Sequence, residues 1–211
     1  MTTFLLIRHG AHDWLGKTLV GRNAGVPLNA EGKGQAELLA EHLGTLRIEA
    51  IYSSPSERAR ETAAPLARRV GQTCIIDPAF DEIDFGRWVG KTFEELQSDV
   101  EWQQWNAHRA TAMGAGGERM ATVQDRIVRG LDRLHRIHAG SVVAIFSHGD
   151  VIKAALCYHQ SLSLDALQSI EIGPASVSIL TRRKVSLIND DGRKVVTALA
   201  ELQGRGAALP G

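Results

Sequence analysis

The stretch Phe4-Leu5-Leu6-Ile7-Arg8-His9-Gly10 is an apolar run that ends on a cation, an imidazole and a glycine. The run reads as a buried strand. A strand returning to solvent could stop on any polar residue, but here a fixed positive charge arrives with the one side chain that titrates near neutrality. That pairing asks for an anion. A second stretch, Ser141 through Gly149 (SVVAIFSHG), has the same form: its continuous apolar run suits a central parallel strand buried on both faces, and it too ends on a histidine and a glycine.

Outward from these two strands, the chain alternates. Positions 31–46 form an amphipathic helix pattern with Ala36, Leu39, Ala40 and Leu43 on one face. The segment IEAIYSS is a second strand, after which Ser54, Pro55 and Glu57 supply an N-cap, a first-turn proline and a capping-box acid, placing Arg58 in a helix's first turn. TCIID reads as a third strand. Thr92 with Glu95 caps a helix carrying Phe93, Leu96 and Val100. Positions 123–137 are the clearest long helix, and 150–158 form another. This alternation predicts an α/β three-layer sandwich, with a mostly parallel central sheet and helices on both faces. SVSILTRR and KVVTAL lie too close for a helical crossover and are expected to form an antiparallel hairpin at one edge. Positions 102–119, ending in GAGGE, leave the sheet pattern and read as a small helical lid.

The length of 211 residues allows one domain, and 44% hydrophobic content is ordinary for a chain that folds alone. Residues 1–202 are expected to form that domain, with 203–211 a disordered tail. Basic and acidic residues balance at 24 each, so no global excess holds nucleic acid or an anionic membrane. Any anion site is local. No signal-type segment precedes the first strand and no apolar run approaches spanning length, so a soluble, cytoplasmic protein is expected. Cys74 and Cys157 each lie in an apolar segment and read as reduced core thiols.

In an open α/β sheet, ligands bind beyond the carboxyl ends of the strands. Both strand-tip histidines, His9 and His148, would arrive there, each followed by a glycine that lets backbone N–H groups approach a ligand. Arg58 projects from a helix N-terminus, whose dipole favours anions. Arg8 and Arg58 would meet phosphate oxygens with planar forks of donors. Singly, a strand-end histidine or a first-turn arginine is a commonplace hydrogen-bonded or solvated residue; the combination carries the functional reading.

Four blocks, LIRHG, SSPSERARETA, DEIDFGRWVGK and FSHGDVIKAAL, in that order and spacing, resemble the histidine phosphatase superfamily, also called phosphoglycerate mutase-like. The resemblance implies that His9 is the nucleophile that becomes phosphorylated. It implies that Arg8, Arg58 and His148 hold the phosphoryl group, and that Glu82 is the proton donor, with Asp81 and Asp84 as neighbouring competitors. An attacking imidazole must be neutral and held through its other nitrogen; nearby arginines favour that form. The implied activity is a cofactor-independent phosphomonoester hydrolase of small phosphorylated substrates, releasing inorganic phosphate and using no metal, since the arginines and histidines supply the positive charge.

Some residues depart from the family pattern R-H-G-E-[ST]-x-W-N: here Ala11, His12 and Leu15 replace the acid, the hydroxyl and the asparagine. Asn23 is a candidate replacement for the lost amide, Gly149 and Arg109 are candidate substrate contacts, and His12, three residues after His9, is either a substrate contact or a surface residue, the surface role being the expected one. Val89 replaces a glutamate common in relatives, which alters the loop surface without touching Glu82. The alternatives are a phosphoglycerate mutase, a zinc metallohydrolase and an inactive binding protein; a homodimer is compatible with each. Mutases carry an adjacent arginine pair in the lid, whereas this lid offers only Arg109 and Arg119, well separated. For the metal reading, the spacing fits no ligand motif and Arg8 would oppose a cation. The intact set Arg8, His9, Arg58, Glu82 and His148 argues against an inactive protein. Trp102, Trp105, His108 and Arg109 are the lid residues best suited to hold a leaving group, unless the tryptophans only pack the lid.

Overall fold

The computed structural model describes residues 1–181 and 184–204. In chain order the elements are β1 (Thr3–Arg8), α1 (Ala30–Leu43), β2 (Ile48–Ser53), α2 (Glu57–Val70), β3 (Cys74–Ile76), α3 (Phe93–Gln97) and α4 (Val100–Ala107). Then follow α5 (Met120–Ile137), β4 (Val142–Ser147), α6 (Gly149–His159), β5 (Val177–Thr181), β6 (Lys184–Asp190) and α7 (Val195–Gly204).

Side chains alternate across a strand, and in β1 the two sets enter different cores. Phe4 and Leu6 pack with Val143, Ile145, Met120, Ile127 and Ile152, beneath α5 and α6. Leu5 and Ile7 pack with Ala144, Phe146, Leu39, Ala63 and Leu66, beneath α1 and α2. Two cores on opposite faces of one sheet make the three layers. The strand order is β3-β2-β4-β1-β5-β6. The pairings β1·β4, β2·β4 and β2·β3 are parallel, and β1·β5 and β5·β6 are antiparallel. No helix among the described residues is long and apolar enough to cross a membrane.

Three local expectations need correction. The edge hairpin pairs β5 with β6, not with KVVTAL, which lies in α7. Its β-branched residues favour a strand locally, but Val195 and Leu199, four apart, bury one helical face in the second core, and tertiary packing decides. The N-cap of α2 is Ser56, whose side chain makes no capping bond to the helix, and not Ser54, whose hydroxyl is engaged with Asp81. Finally, α7 runs through residues 203–204, which the tail expectation had included; 205–211 lie outside the described residues. The capping box of Thr92 and Glu95 is present at the start of α3.

The lid consists of α4 and the loop that follows it. Its tryptophans divide: Trp105 is buried and packs edge-on against Phe85 at 5.5 Å between centroids, while Trp102 is half-buried and lines a cavity.

Candidate active site

Parallel pairing of β1 with β4 sets Arg8 opposite Ser147, so the residues that follow emerge side by side. His9 N–H donates to the Ser147 carbonyl at 3.0 Å, and the His9 and His148 ring centroids lie 5.2 Å apart. His9 stands at the inner end of a cavity of about 300 Å³ beyond the carboxyl ends of these strands, and His148 is buried behind it.

His9 is buried, with Nδ1 2.8 Å from the Gly10 carbonyl oxygen. A carbonyl can only accept, so Nδ1 carries the hydrogen and Nε2 keeps the lone pair. Burial, followed by the Arg58 and Arg8 charges, holds the ring well below the usual imidazole range. A neutral, oriented imidazole results.

Arg58 comes from the first turn of α2 and is 1% exposed. Its Nη2 donates to the Gly21 carbonyl at 2.8 Å and reaches His148 Nδ1 at 3.2 Å. Arg8 donates from Nη1 to the Ile172 carbonyl at 2.6 Å. Each keeps its Nε–H buried without a partner. A buried unpaired donor costs on the order of 1–3 kcal/mol, so these two cations are poised to meet an anion in the cavity they line. Gly149 makes room for this: a Cβ there would stand 3.4 Å from Arg8 Nε.

Glu82 faces the same cavity from the segment after β3. Its Oε1 accepts from Ile83 N–H at 2.9 Å, while Oε2 lies 3.4 Å from His148 Nδ1 and 3.9 Å from Arg58 Nη2. Burial pushes the carboxyl up to about 7, against the pull of Arg58. It can therefore carry or release a proton near neutrality. The competitors are otherwise occupied: Asp84 accepts from Gly86 N–H, and Asp81 from Ser54 and the Glu82 N–H.

The structure thus brings Arg8, His9, Arg58, Glu82 and Gly149 to one cavity, along with Arg109, and sets His148 directly behind them, against His9, Arg58 and Glu82. Arg109 lies 3.5 Å above the Trp105 ring and donates to Asp150 at 2.9 Å. Asn23 is exposed and lines a separate cavity with Arg22 and Arg60, so it does not replace the family amide here. His108 is exposed and lines neither. His12 corrects the surface expectation: it is 5% exposed, its ring centroid is 5.3 Å from that of His9, and Nδ1 is buried without a partner. The loop after β1 folds back under the tip and carries the ring inward, where burial and then Arg58 lower it to about 4. The sequence reading missed Asp150, Lys153, Asn106 and Gln168 in the wall. Asp150 and Lys153, three apart just after His148, carried a usable helical signal; Gln168 carried none.

The histidine phosphatase superfamily (branch 1) family model matches residues 4–196. Phosphoserine phosphatase 1 of Hydrogenobacter thermophilus is 30% identical over 195 residues, covering 89% of this chain and 91% of that protein. The bifunctional protein Rv2228c of Mycobacterium tuberculosis is 32% identical over 202 residues; these cover 90% of this chain and 54% of that protein, so the chain spans about half of that relative. Among solved structures, phosphoserine phosphatase from Entamoeba histolytica in complex with 3-phosphoglyceric acid aligns with a TM-score of 0.82 at 26% identity. That alignment covers 90% of this chain and 98% of that one. With two histidines at adjacent strand tips, an arginine from β1, a second from the start of α2 and a carboxyl from the segment after β3 gathered together, and with nearly its whole length matched, this chain is a histidine phosphatase, a member of branch 1 of that superfamily.

Proposed function

We propose that this histidine phosphatase hydrolyses small phosphomonoesters through a phosphohistidine at His9. The observation that carries the reading is the His9 ring itself, neutral and fixed by the Gly10 carbonyl, with the lone pair on Nε2. Nε2 bonds to phosphorus as the ester oxygen leaves, and Glu82 gives that oxygen its proton. Water then attacks the phosphohistidine, Glu82 takes a proton from it, and His9 and inorganic phosphate are released. Arg8 and Arg58 stabilise the charge on the equatorial oxygens. His148, neutral and buried, completes the pocket.

Beyond the phosphate, the cavity wall is mixed: Trp102 and Phe93 give apolar faces, while Asp150, Lys153 and Gln168 give polar ones. A small ester with charged or hydrogen-bonding groups fits such a wall, and the phosphoserine phosphatase relatives make phosphoserine the first compound to test. A panel of phosphoserine, 3-phosphoglycerate, sugar phosphates, nucleotides and phosphopeptides, assayed in chelator, tests the proposal. The expected result is phosphate release, inhibition by vanadate, and an acid-labile phosphoenzyme. Activity lost in chelator and restored by zinc would overturn it in favour of a metallohydrolase. Against the mutase alternative, Arg109 is held by Asp150 and Arg119 is exposed, so the lid presents no adjacent arginine pair to grip a substrate carboxylate. With 3-phosphoglycerate, net phosphate release is expected; isomerisation without release would favour the mutase.

A further inference from the structure

Behind the cavity, Ser54 Oγ accepts from Ser56 N–H at 3.2 Å, lies 3.2 Å from Ser56 Oγ, and makes its two shortest contacts with groups whose proton needs conflict. It lies 2.9 Å from Asp81 Oδ1 and 2.8 Å from His148 Nε2. A hydroxyl has one hydrogen to give. Asp81 is a carboxylate: Oδ1 already accepts the Glu82 N–H at 2.8 Å, and Arg22 Nε stands 3.4 Å from Oδ2. Having no proton, Asp81 must receive the one from Ser54. The short contact with His148 then exists only if His148 donates it, which places the imidazole hydrogen on Nε2. Because the ring is neutral, Nδ1 keeps a lone pair, and that lone pair meets Arg58 Nη2 at 3.2 Å and Glu82 Oε2 at 3.4 Å. A carboxylate oxygen is repelled there, whereas a carboxyl O–H is accepted.

We propose that Asp81, acting through Ser54, is a positioning residue that fixes the His148 hydrogen on Nε2 and thereby holds the Glu82 carboxyl in its protonated form. The second half rests on the reading of Glu82 as the acid. The other groups facing Glu82 pull both ways. Arg58 from α2 and Arg8 from β1 favour the carboxylate, while Asp150 from α6 opposes it. Arg22 and Arg126 donate to its backbone carbonyl at 2.8 and 2.9 Å. Of this set, only the His148 tautomer can be reversed without changing a charge.

Long-range ¹H–¹⁵N correlation spectra of the full chain, with the ring assigned by loss of its signals in His148→Gln, report the tautomer directly. Native protein should show a protonated Nε2 and an unprotonated Nδ1; a hydrogen on Nδ1 overturns the proposal without any variant of the relay. Ser54→Ala removes the near acceptor, leaving only Ser56 Oγ at 3.4 Å from Nε2, and keeps the Asp81 charge in place; Ser54→Ala combined with Ser56→Ala removes both. Asp81→Asn can present an N–H to Ser54 and free its hydroxyl hydrogen for His148. Each variant should move the hydrogen to Nδ1, where it donates to the Glu82 carboxylate, and each should shift the basic limb of kcat/KM to lower pH. Variants that keep the native tautomer overturn the relay. A tautomer that reverses while the basic limb stays fixed overturns its control of Glu82. If Glu82→Gln leaves the basic limb intact, the acid assignment fails, and the tautomer measurement still decides the relay.

Discussion

The two histidine-bearing strand tips solve the same orientation problem by opposite means. At the β1 tip, His9 is held by the carbonyl of the next residue, a partner that no side-chain substitution removes. At the β4 tip, His148 is held by Ser54 and Arg58, and behind Ser54 by Asp81, groups brought from the end of β2, from α2 and from the segment after β3. A group that must present one lone pair in one direction gains from a local anchor. A group whose proton is to be set by its surroundings gains from a remote one. The difference makes His9 insulated and His148 adjustable.

The largest effect that tests this contrast is His9→Ala. It should abolish turnover and the acid-labile phosphoenzyme, because the one His148 lone pair, on Nδ1, is already engaged by Arg58 Nη2 and cannot replace it; a phosphoenzyme surviving in rapid-quench experiments would break the contrast.

Glu82→Gln should follow, slowing phosphoenzyme formation from an alkoxide ester by roughly 10²- to 10⁴-fold, the usual worth of general acid catalysis. With a nitrophenyl ester, whose leaving group needs no proton, the penalty on that step should shrink. Equal slowing of both would remove Glu82 from the acid role.

The pH profile comes next. Burial raises Glu82 to about 7, so its protonated fraction falls above that value. For alkoxide esters, kcat/KM should drop about tenfold per pH unit on the alkaline side. His9 is depressed, not raised, so it stays neutral there and sets no alkaline limb. A profile flat through pH 9, measured with phosphoserine, would contradict the assignment.

The β1 tip can also be loosened from behind. Thr62 Oγ1 accepts the buried Gly10 N–H at 2.9 Å and donates to the Arg58 carbonyl at 2.7 Å. Thr62→Val leaves that N–H unpaired and should cost about 1–3 kcal/mol in chemical denaturation, with the phosphoenzyme still formed. The smallest effect is expected at His12. His12→Ser should raise KM roughly two- to tenfold at nearly constant kcat, the worth of one neutral hydrogen bond to substrate; an unchanged KM would mark the ring as packing only.

Much of this was legible in the chain. Apolar runs ending in Arg8-His9-Gly10 and Ser147-His148-Gly149 specify buried strands with polar tips, because a strand buried on both faces has no other way to end in a cleft. Arg58 was placed by its helix start, and Glu82 by the block around it. The reversals fell where local signals compete with packing. KVVTAL has strand propensity and became helix. Ser54 has cap chemistry and was taken by Asp81. His12 follows the strand tip among polar residues and was folded inward.

By itself, then, the sequence determined the alternation of strand and helix, the two histidine tips and the arginines that accompany them, since periodicity and short-range spacing are properties of a few consecutive residues. Tertiary structure alone decided that β4 lies between β1 and β2, and so that His148 stands beside His9 with Ser54 behind it. It also decided which proton each ring carries, because a tautomer is fixed by what the neighbouring atoms can give or accept, and those neighbours come from segments as far apart in the chain as Ser54, Asp81 and His148.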